Sequence, residues 1–369
     1  MRDHTSALED VLRGSYERRI FATILHGSDP VLEDLEVLQW SLSGDFEDQV
    51  KLRGTGTIIY SSAGGESLLP VGTKGKLSPF RARIELTMEI RAGEFSERIS
   101  LGIFRVTGMP SGRDHTAEVN GSEVVAASVV ELRFRSLEED VRRRGIRVPE
   151  QPTSSLSCFD EIRRLTGMPV EESVSDVAIP DGVVWEAKRG SRLEAVSRLG
   201  NWLGGTALVN SVGAWTIVPD EVGEPVATLQ IGEQGTVVDL LDSIDTDEIY
   251  NCIVGTFEDE NRNRIDAVAE VLVGDLATDG LYGENTLYWS DSGVKSQSDA
   301  DAAVAALLDY YAGSLQYDIP VQCHVYPTVE LGDVAKLMGG RREIVGRIVK
   351  FSMSDSPYMN VTLRVHRQL

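Results

Sequence analysis

From Ala82 to Arg91 the chain alternates without a break. Ala82, Ile84, Leu86, Met88 and Ile90 are apolar, and Arg83, Glu85, Thr87, Glu89 and Arg91 between them are polar. Successive side chains of a strand point to opposite faces, so this segment makes a strand with one dry and one wet face. The same period recurs at 50–60 (Val50, Leu52, Ile58, Tyr60), at 38–42 (Leu38, Trp40, Leu42) and at 130–134 (Val130, Leu132, Phe134). Gly- and Ser-rich turns such as SSAGGES at 61–67 separate the runs. Half-wet strands joined by turns build an antiparallel barrel or sandwich. Residues 15–136 are therefore predicted to form one β-barrel domain behind a helical lead at 1–14. Gly54 and Gly56 fall inside one of these strands and predict a bulge or bend; a phosphate-binding loop would need a helix to follow.

Residues 137–235 change character. Leu156, Phe159, Ile162 and Leu165 recur every third position, which predicts a short helix over 154–168 ended by Gly167 and Pro169. A second helix begins at Ser191, with Glu194 completing a capping box, and buries Leu193, Val196, Leu199 and Leu203 before Gly204–Gly205 stops it. TALVNSVGAWTIVP (206–219) reads as a hairpin about Asn210–Gly213. Together these make a small α+β insert. From about 236 strands return, at 250–257 and 265–273, then at 319–326, 344–351 and 358–366. One helix over 299–312 stands among them, with Ser298 and Asp299 as caps, Gly313 as its end, and Ala303, Ala306, Leu307 and Tyr310 as its apolar face. The fold class expected is mainly β with an α+β insert: two barrel domains, 15–136 and 236–369, around 137–235.

The formal net charge of -22 argues against sequence-unspecific DNA wrapping, which depends on Lys and Arg neutralising phosphates. A like-charged wall would let DNA pass without sticking, and solubility alone accounts for the same charge equally well. Cys158, Cys252 and Cys323 are odd in number, far apart and in no CxxC pair, which points away from a disulfide framework or zinc site. The first residues have no apolar signal core, and no apolar run of about twenty residues exists to span a membrane.

Asp259-x-Asn261-x-Asn263 with Glu270 copies the ligand spacing of a calcium loop, but Arg264 stands where the sharp turn wants Gly, and strands flank it. A polar hairpin turn explains it better. Ser292-x-x-Lys295 matches SxxK without the companion motifs of penicillin-binding enzymes. His4, His26, His115, His324 and His366 are scattered. No catalytic, cofactor-binding or metal-ligating residue is assigned, and no cofactor is expected. Two charge distributions are notable. No Lys or Arg occurs between Arg198 and Arg262, where Asp239, Asp242, Asp245, Asp247, Glu248, Glu258, Asp259 and Glu260 gather; Arg133, Arg135, Arg142, Arg143, Arg144 and Arg147 cluster where the first barrel ends. Either is a solvated face, or the two meet across subunits, or the acidic one lines a pore.

Several stretches, in this order, carry a resemblance: LLPVGTKGKLSPFRARIEL (68–86), SLGIFRVTGM (100–109), VELRFRSLEEDVRRRGI (130–146), RGSRLEAVSRLGNWLGGTALVNSVGAWTIVP (189–219), DEIYNCIVGTFE (247–258), LYGENTLYWSDS (281–292), the helix with Ala302–Leu308, and VYPTVELGDVAKL (325–337). Across about 15–369 the chain resembles the tail-hub, or minor tail, proteins of actinobacterial siphophages, themselves similar to the baseplate hub of contractile tails. The resemblance implies a homotrimeric ring in which each subunit carries two tail-tube-like barrels, joining a six-fold tube to a three-fold tip around the DNA channel. It implies as partners the distal tail, tail tube, tape-measure and tail-tip or fibre proteins. Its place would be the virion tail tip, assembled in the host cytoplasm without membrane insertion. Longer relatives append peptidase, lysozyme or sugar-binding domains; this chain stops at Leu369 straight after its last strand, so that activity is not carried over. The competing expectations are a tail-tip cell-wall hydrolase and a receptor- or glycan-binding module.

Overall fold

Strands occupy 48% of the chain and helices 15%, the mainly β fold that the alternation predicts. The computed structural model describes all residues except 62–64, 71–72, 74, 154, 233–234, 241–248, 259–262, 275, 291–293, 295, 313, 340–341 and 369. A short helix α1 (Ser6–Leu12) leads into β1 (Glu17–His26), β2 (Asp29–Asp45), β3 (Leu52–Tyr60), β4 (Ala82–Ala92), β5 (Phe95–Val119) and β6 (Ser122–Ser136). These six strands pair in the order β1-β4-β5-β6-β3-β2, and β1 also pairs β2, so the ring closes on itself. Closure leaves no free sheet edge in that ring. In β4 the alternation holds: Ile84, Leu86, Met88 and Ile90 are buried beside Ile20, Ile99, Phe104, Val130, Leu132 and Phe134. β5 turns into β6 at Asn120–Gly121, both with positive φ (54° and 76°), as a tight hairpin turn demands.

β2 departs from the expected alternation. Leu38 pairs with Thr57 but Ser41 with Thr55, so β2 holds one residue more than its partner, and Gln39 takes φ 47°. That bulge resets the phase: Val37 and Trp40 are buried, and Leu38 is exposed. It also bends the strand. Before the bulge the free edge of β2 pairs β1 (Phe21 with Glu36); after it the same edge pairs a strand from the far end of the chain (Ser43 with Ser352). The bulge predicted at Gly54 and Gly56 therefore lies in the neighbouring strand. The glycines have another cause. A Cβ on Gly54 would fall on the Phe134 ring and the Ser41 carbonyl oxygen, and one on Gly56 would lie 2.5 Å from Val37 Cγ1.

After β6 come α2 (Glu138–Arg143), α3 (Cys158–Thr166), α4 (Ser191–Trp202), β7 (Gly205–Val209) and β8 (Trp215–Pro219). They share a core of Phe159, Ile162, Leu165, Trp185, Val196, Leu199 and Trp215. The expected helix at 154–168 begins only at Cys158, because Ser157 caps it by accepting from the Asp160 N–H at 3.0 Å; Leu156 lies outside, exposed. The expected capping box is absent. Ser191 is the first helical residue, its hydroxyl donating to Lys188 O and accepting from the Ile146 N–H.

β9 (Ala227–Gln230) and β10 (Val237–Leu240) precede a separate unit, and β14 (Ser314–His324), β15 (Val334–Gly339), β16 (Arg342–Ser354) and β17 (Tyr358–Gln368) follow it, with β11 to β13 defined below. Their order is β9-β15-β16-β17-β14-β10, and an Ile231–Val237 bridge brings the ends together into a second six-stranded ring. β2 and β16 hydrogen-bond the two rings into one twelve-stranded sheet.

Residues Leu240–Pro320 and Leu363–Leu369 form the second compact unit. Here β11 (Cys252–Glu258) lies antiparallel to β12 (Arg264–Glu270) and parallel to β13 (Thr286–Trp289). α5 (Gln297–Ala312) packs Ala300 and Val304 against Ile253, Phe257 and Ala267. Its buried stripe continues through Leu307, Leu308 and Tyr311, turned from the predicted Ala303, Ala306, Leu307 and Tyr310; Tyr310 is exposed. The cap is Ser296, which accepts from the Asp299 N–H and donates to the Asp299 carboxylate, in place of Ser298 or Asp299.

Candidate functional site

Four arginines stand in one row on the outer face of the first ring. Arg83 on β4 lies opposite Arg105 on β5, Arg105 opposite Arg135 on β6, and Arg135 opposite Arg53 on β3. Like charges directly across strands destabilise a sheet. The chain offsets this by turning, straight after β6, into α2, whose first turn is Glu138-Glu139-Asp140. Asp140 accepts from Arg83 at 3.0 Å and also from Arg105. Glu139 accepts from Arg142 and Arg143 at 3.0 and 2.8 Å and stands 3.5 Å from Arg135. Burial works to raise the Glu139 pKa; the hydrogen bonds from Arg143 and Arg142 outweigh it and hold the carboxyl below the usual range. Glu138, fully buried, accepts from the Val209 N–H at 3.0 Å, and burial pushes its pKa up. The three carboxylates clamp the first ring to the α+β insert.

This accounts for most of the arginine cluster seen in the sequence. Arg135, Arg142 and Arg143 are engaged on Glu139, and Arg144 donates to the Asp140 and Thr166 carbonyls. Arg133 and Arg147 are exposed. Glu139→Ala leaves its guanidinium partners unpaired, but these are a third to half exposed and rehydrate. The expected loss is about 2 kcal/mol, below the roughly 3–5 kcal/mol for breaking a fully buried pair, read as a lower urea midpoint at unchanged slope.

The row continues as polar groups: Arg53 lies opposite Ser43, and Ser43 opposite Ser352. A shallow pocket of about 200 Å³ opens there, flanked by Lys51 and Lys350. A larger cleft of about 450 Å³ lies beside the β7–β8 hairpin. Its polar groups hold one another: Asn210 donates to Glu171 at 2.9 Å, the Ser211 N–H donates to Glu330 at 3.2 Å, and buried Arg2 donates to the Pro327 and Val329 carbonyls. No His or Cys lines it among the described residues.

The sequence candidates do not converge. Asp259, Asn261, Ser292 and Lys295 lie outside the described residues, as do Asp242, Asp245, Asp247, Glu248 and Glu260. Asn263 and Glu270 flank and end the seven-residue β12. At about 3.3 Å per residue they are roughly 20 Å apart, too far to share an ion. His4 and His26 hydrogen-bond to the carbonyls of Arg2 and Lys76, His115 is exposed, and His324 stacks 5.3 Å from Tyr358. The His366 side chain falls outside the description. Among the described residues no three His, Cys, Asp or Glu gather as metal donors, and no helix is long and apolar enough to cross a membrane. The three cysteines are buried and free. Sequence reasoning missed α2 and its clamp, although the EED triplet before RRR was the available signal.

No protein-family model matches the chain, and no curated protein matches its sequence. Solved structures do match over nearly the whole length. One is the tail protein from Neisseria meningitidis MC58, 11% identical, covering 94% of this chain and 96% of that one at TM-score 0.57. Another is the 43 kDa tail protein of prophage MuSo2 from Shewanella oneidensis, 11% identical, covering 94% and 98% at TM-score 0.58. A third belongs to the Francisella PdpA–VgrG complex, 9% identical, covering 95% of this chain and 53% of that one at TM-score 0.50. At these identities the likeness is one of fold: this chain is folded as the phage tail proteins are.

Proposed function

We propose that the chain is a structural tail-hub protein of a long-tailed bacteriophage, not an enzyme. Three copies form a ring that joins the six-fold tail tube to the three-fold tip and encloses the DNA channel. The observation that carries this is the pair of closed six-stranded rings in one chain, joined through β2 and β16. Three copies then present six such rings, which matches a six-fold tube while keeping a three-fold axis. Residues 15–136 and 236–369 are the tube-like units, the second recruiting β9 from the end of the 137–235 insert. The whole-length fold match to two tail proteins supports the reading. Its neighbours in the tail tip of a siphophage are the distal tail, tube, tape-measure and fibre proteins.

The net charge of -22 suits a lumen through which DNA slides without binding. Purified protein is expected to retain no duplex DNA even at low salt, where electrostatic attraction is strongest. Retention there would contradict the conduit. Gold-labelled antibody on virions should mark the tail tip; gold confined to capsid or neck would remove the proposal.

A further inference from the structure

We propose that the outer face of the β12-β11-β13 sheet, with the loop that follows β12, docks a different protein whose apolar surface is bordered by Lys and Arg. The contact rests on the proposed tail role and gives the chemistry of one tail neighbour.

Within the second unit the two faces of this sheet differ. Ile253, Phe257 and Ala267 are buried against α5. On the opposite face Val268, Val254 and Tyr288 stand in one row, because Val254 pairs with Val268 on one side and Tyr288 on the other. Residues 271–285 then join β12 to β13. Val271, Leu276 and Tyr282 turn inward to a small core with Ile249 and Ala312. Leu272, Val273 and Leu281 turn outward, and with Val268 and Tyr288 they are each at least 62% exposed.

This exposure is built into the loop. The backbone carbonyl of buried Asn251 accepts from the Val271 N–H at 2.9 Å. Its side-chain amide donates to Leu276 O at 2.9 Å and Gly283 O at 2.7 Å, and its side-chain oxygen accepts from the Asn285 N–H at 2.7 Å. Leu272 follows Val271 and Leu281 lies two residues before Gly283, so both are held at the same end of β11. A surface fixed in advance loses less freedom on docking. Five such side chains expose on the order of 600 Å², the upper end for a soluble monomer and most of one side of a standard interface.

The border of the face selects the occupant. Glu270, Asp279 and Glu284 are exposed and have no ion pair among the described residues. Arg264 is the one described cation of Leu240–Pro320, and it is held on Asp266 at 2.7 Å. In sequence that span carries seventeen Asp and Glu against three Lys and Arg. Such a border repels an anionic membrane and a nucleic acid. It repels the same face of a second copy as well. A partner with cations around an apolar centre is attracted on both counts, and Tyr288 offers it the residue type that dominates interface hot spots.

The test places a benzoyl-phenylalanine photo-cross-linker at position 288 of the full chain and irradiates assembled virions. The expected product is an adduct with a different protein, joined at an apolar segment that adjoins Lys or Arg. Glu270→Lys with Glu284→Lys is expected to cut the adduct yield at least about tenfold. The unfolding temperature should stay unchanged, because both positions are exposed. Leu281→Asp is expected to lower the yield likewise, through the apolar centre. Undiminished yield from these variants, a joined segment without Lys or Arg, or an adduct with a second copy or with lipid would overturn the contact. So would the lack of any adduct in virions that carry the chain, and the tail role would then stand without it. Absence of the chain from virions would remove the tail role and this contact together.

Discussion

Gly54→Val is expected to lower the unfolding free energy by about 3 kcal/mol, at the upper end of what overpacking a core costs. Even one added carbon meets the Phe134 ring on one side and the Ser41 carbonyl oxygen on the other, and the second obstacle is backbone. Phe134 cannot retreat easily, because it is buried and its ring packs 5.2 Å from that of Phe104. The site also sits opposite the β2 bulge, where the strand passes from one ring to the next. Damage here should therefore loosen both rings. Gly108→Ala is the control: nothing lies within 4 Å of its Cβ position, and a change within about 0.5 kcal/mol is expected. Urea unfolding of both variants decides it. Equal midpoints would mean that Gly54 is not held by packing.

Trp185→Ala is expected to cost about 3–5 kcal/mol, the range for emptying a buried aromatic site. Trp185 is 2% exposed within the core of the α+β insert, and its Nε1–H donates to Glu161 Oε1 at 2.7 Å. Glu161 is itself buried, so the ring removes both volume and a hydrogen-bond donor. Trp185→Phe separates the two. Arg164 still donates to Glu161 at 2.7 and 2.8 Å, so the carboxylate keeps a partner, and a loss of about 1–2 kcal/mol is expected. If the two variants unfolded alike, the hydrogen bond rather than the packed ring would be the source of stability.

What the sequence made legible follows from contrast between faces. β4 reads plainly because every second residue is strongly apolar and buried. β2 fails at Leu38 because a bulge adds one residue, and a period-two pattern carries no mark of where that happens. α5 was found but turned, since Ala300, Ala302, Ala303, Ala305 and Ala306 offer no contrast by which to phase a stripe. Ser191 looks like a cap in sequence, yet Gly190 in the left-handed region takes that position. The Asn120–Gly121 turn was available, because that dipeptide favours positive φ at both residues.

The clamp under α2 was beyond reach for a different reason. Charged residues are seldom buried unless paired, so nothing in the triplet Glu138-Glu139-Asp140 marks it in the sequence for burial. Their partners Arg83 and Arg105 come from strands far away in sequence. Only strand register shows that Arg53, Arg83, Arg105 and Arg135 form one row. The order of segments, by contrast, was enough to suggest a tail protein, and the fold agrees with that resemblance.

The central claim is a three-fold ring, and low-resolution electron microscopy of the purified protein, alone or on its tail neighbours, tests it most directly. Class averages should show a ring of three subunits around an open pore, with six barrel-sized densities at one level. Discrete monomers or dimers, or a closed particle without a pore, would contradict it.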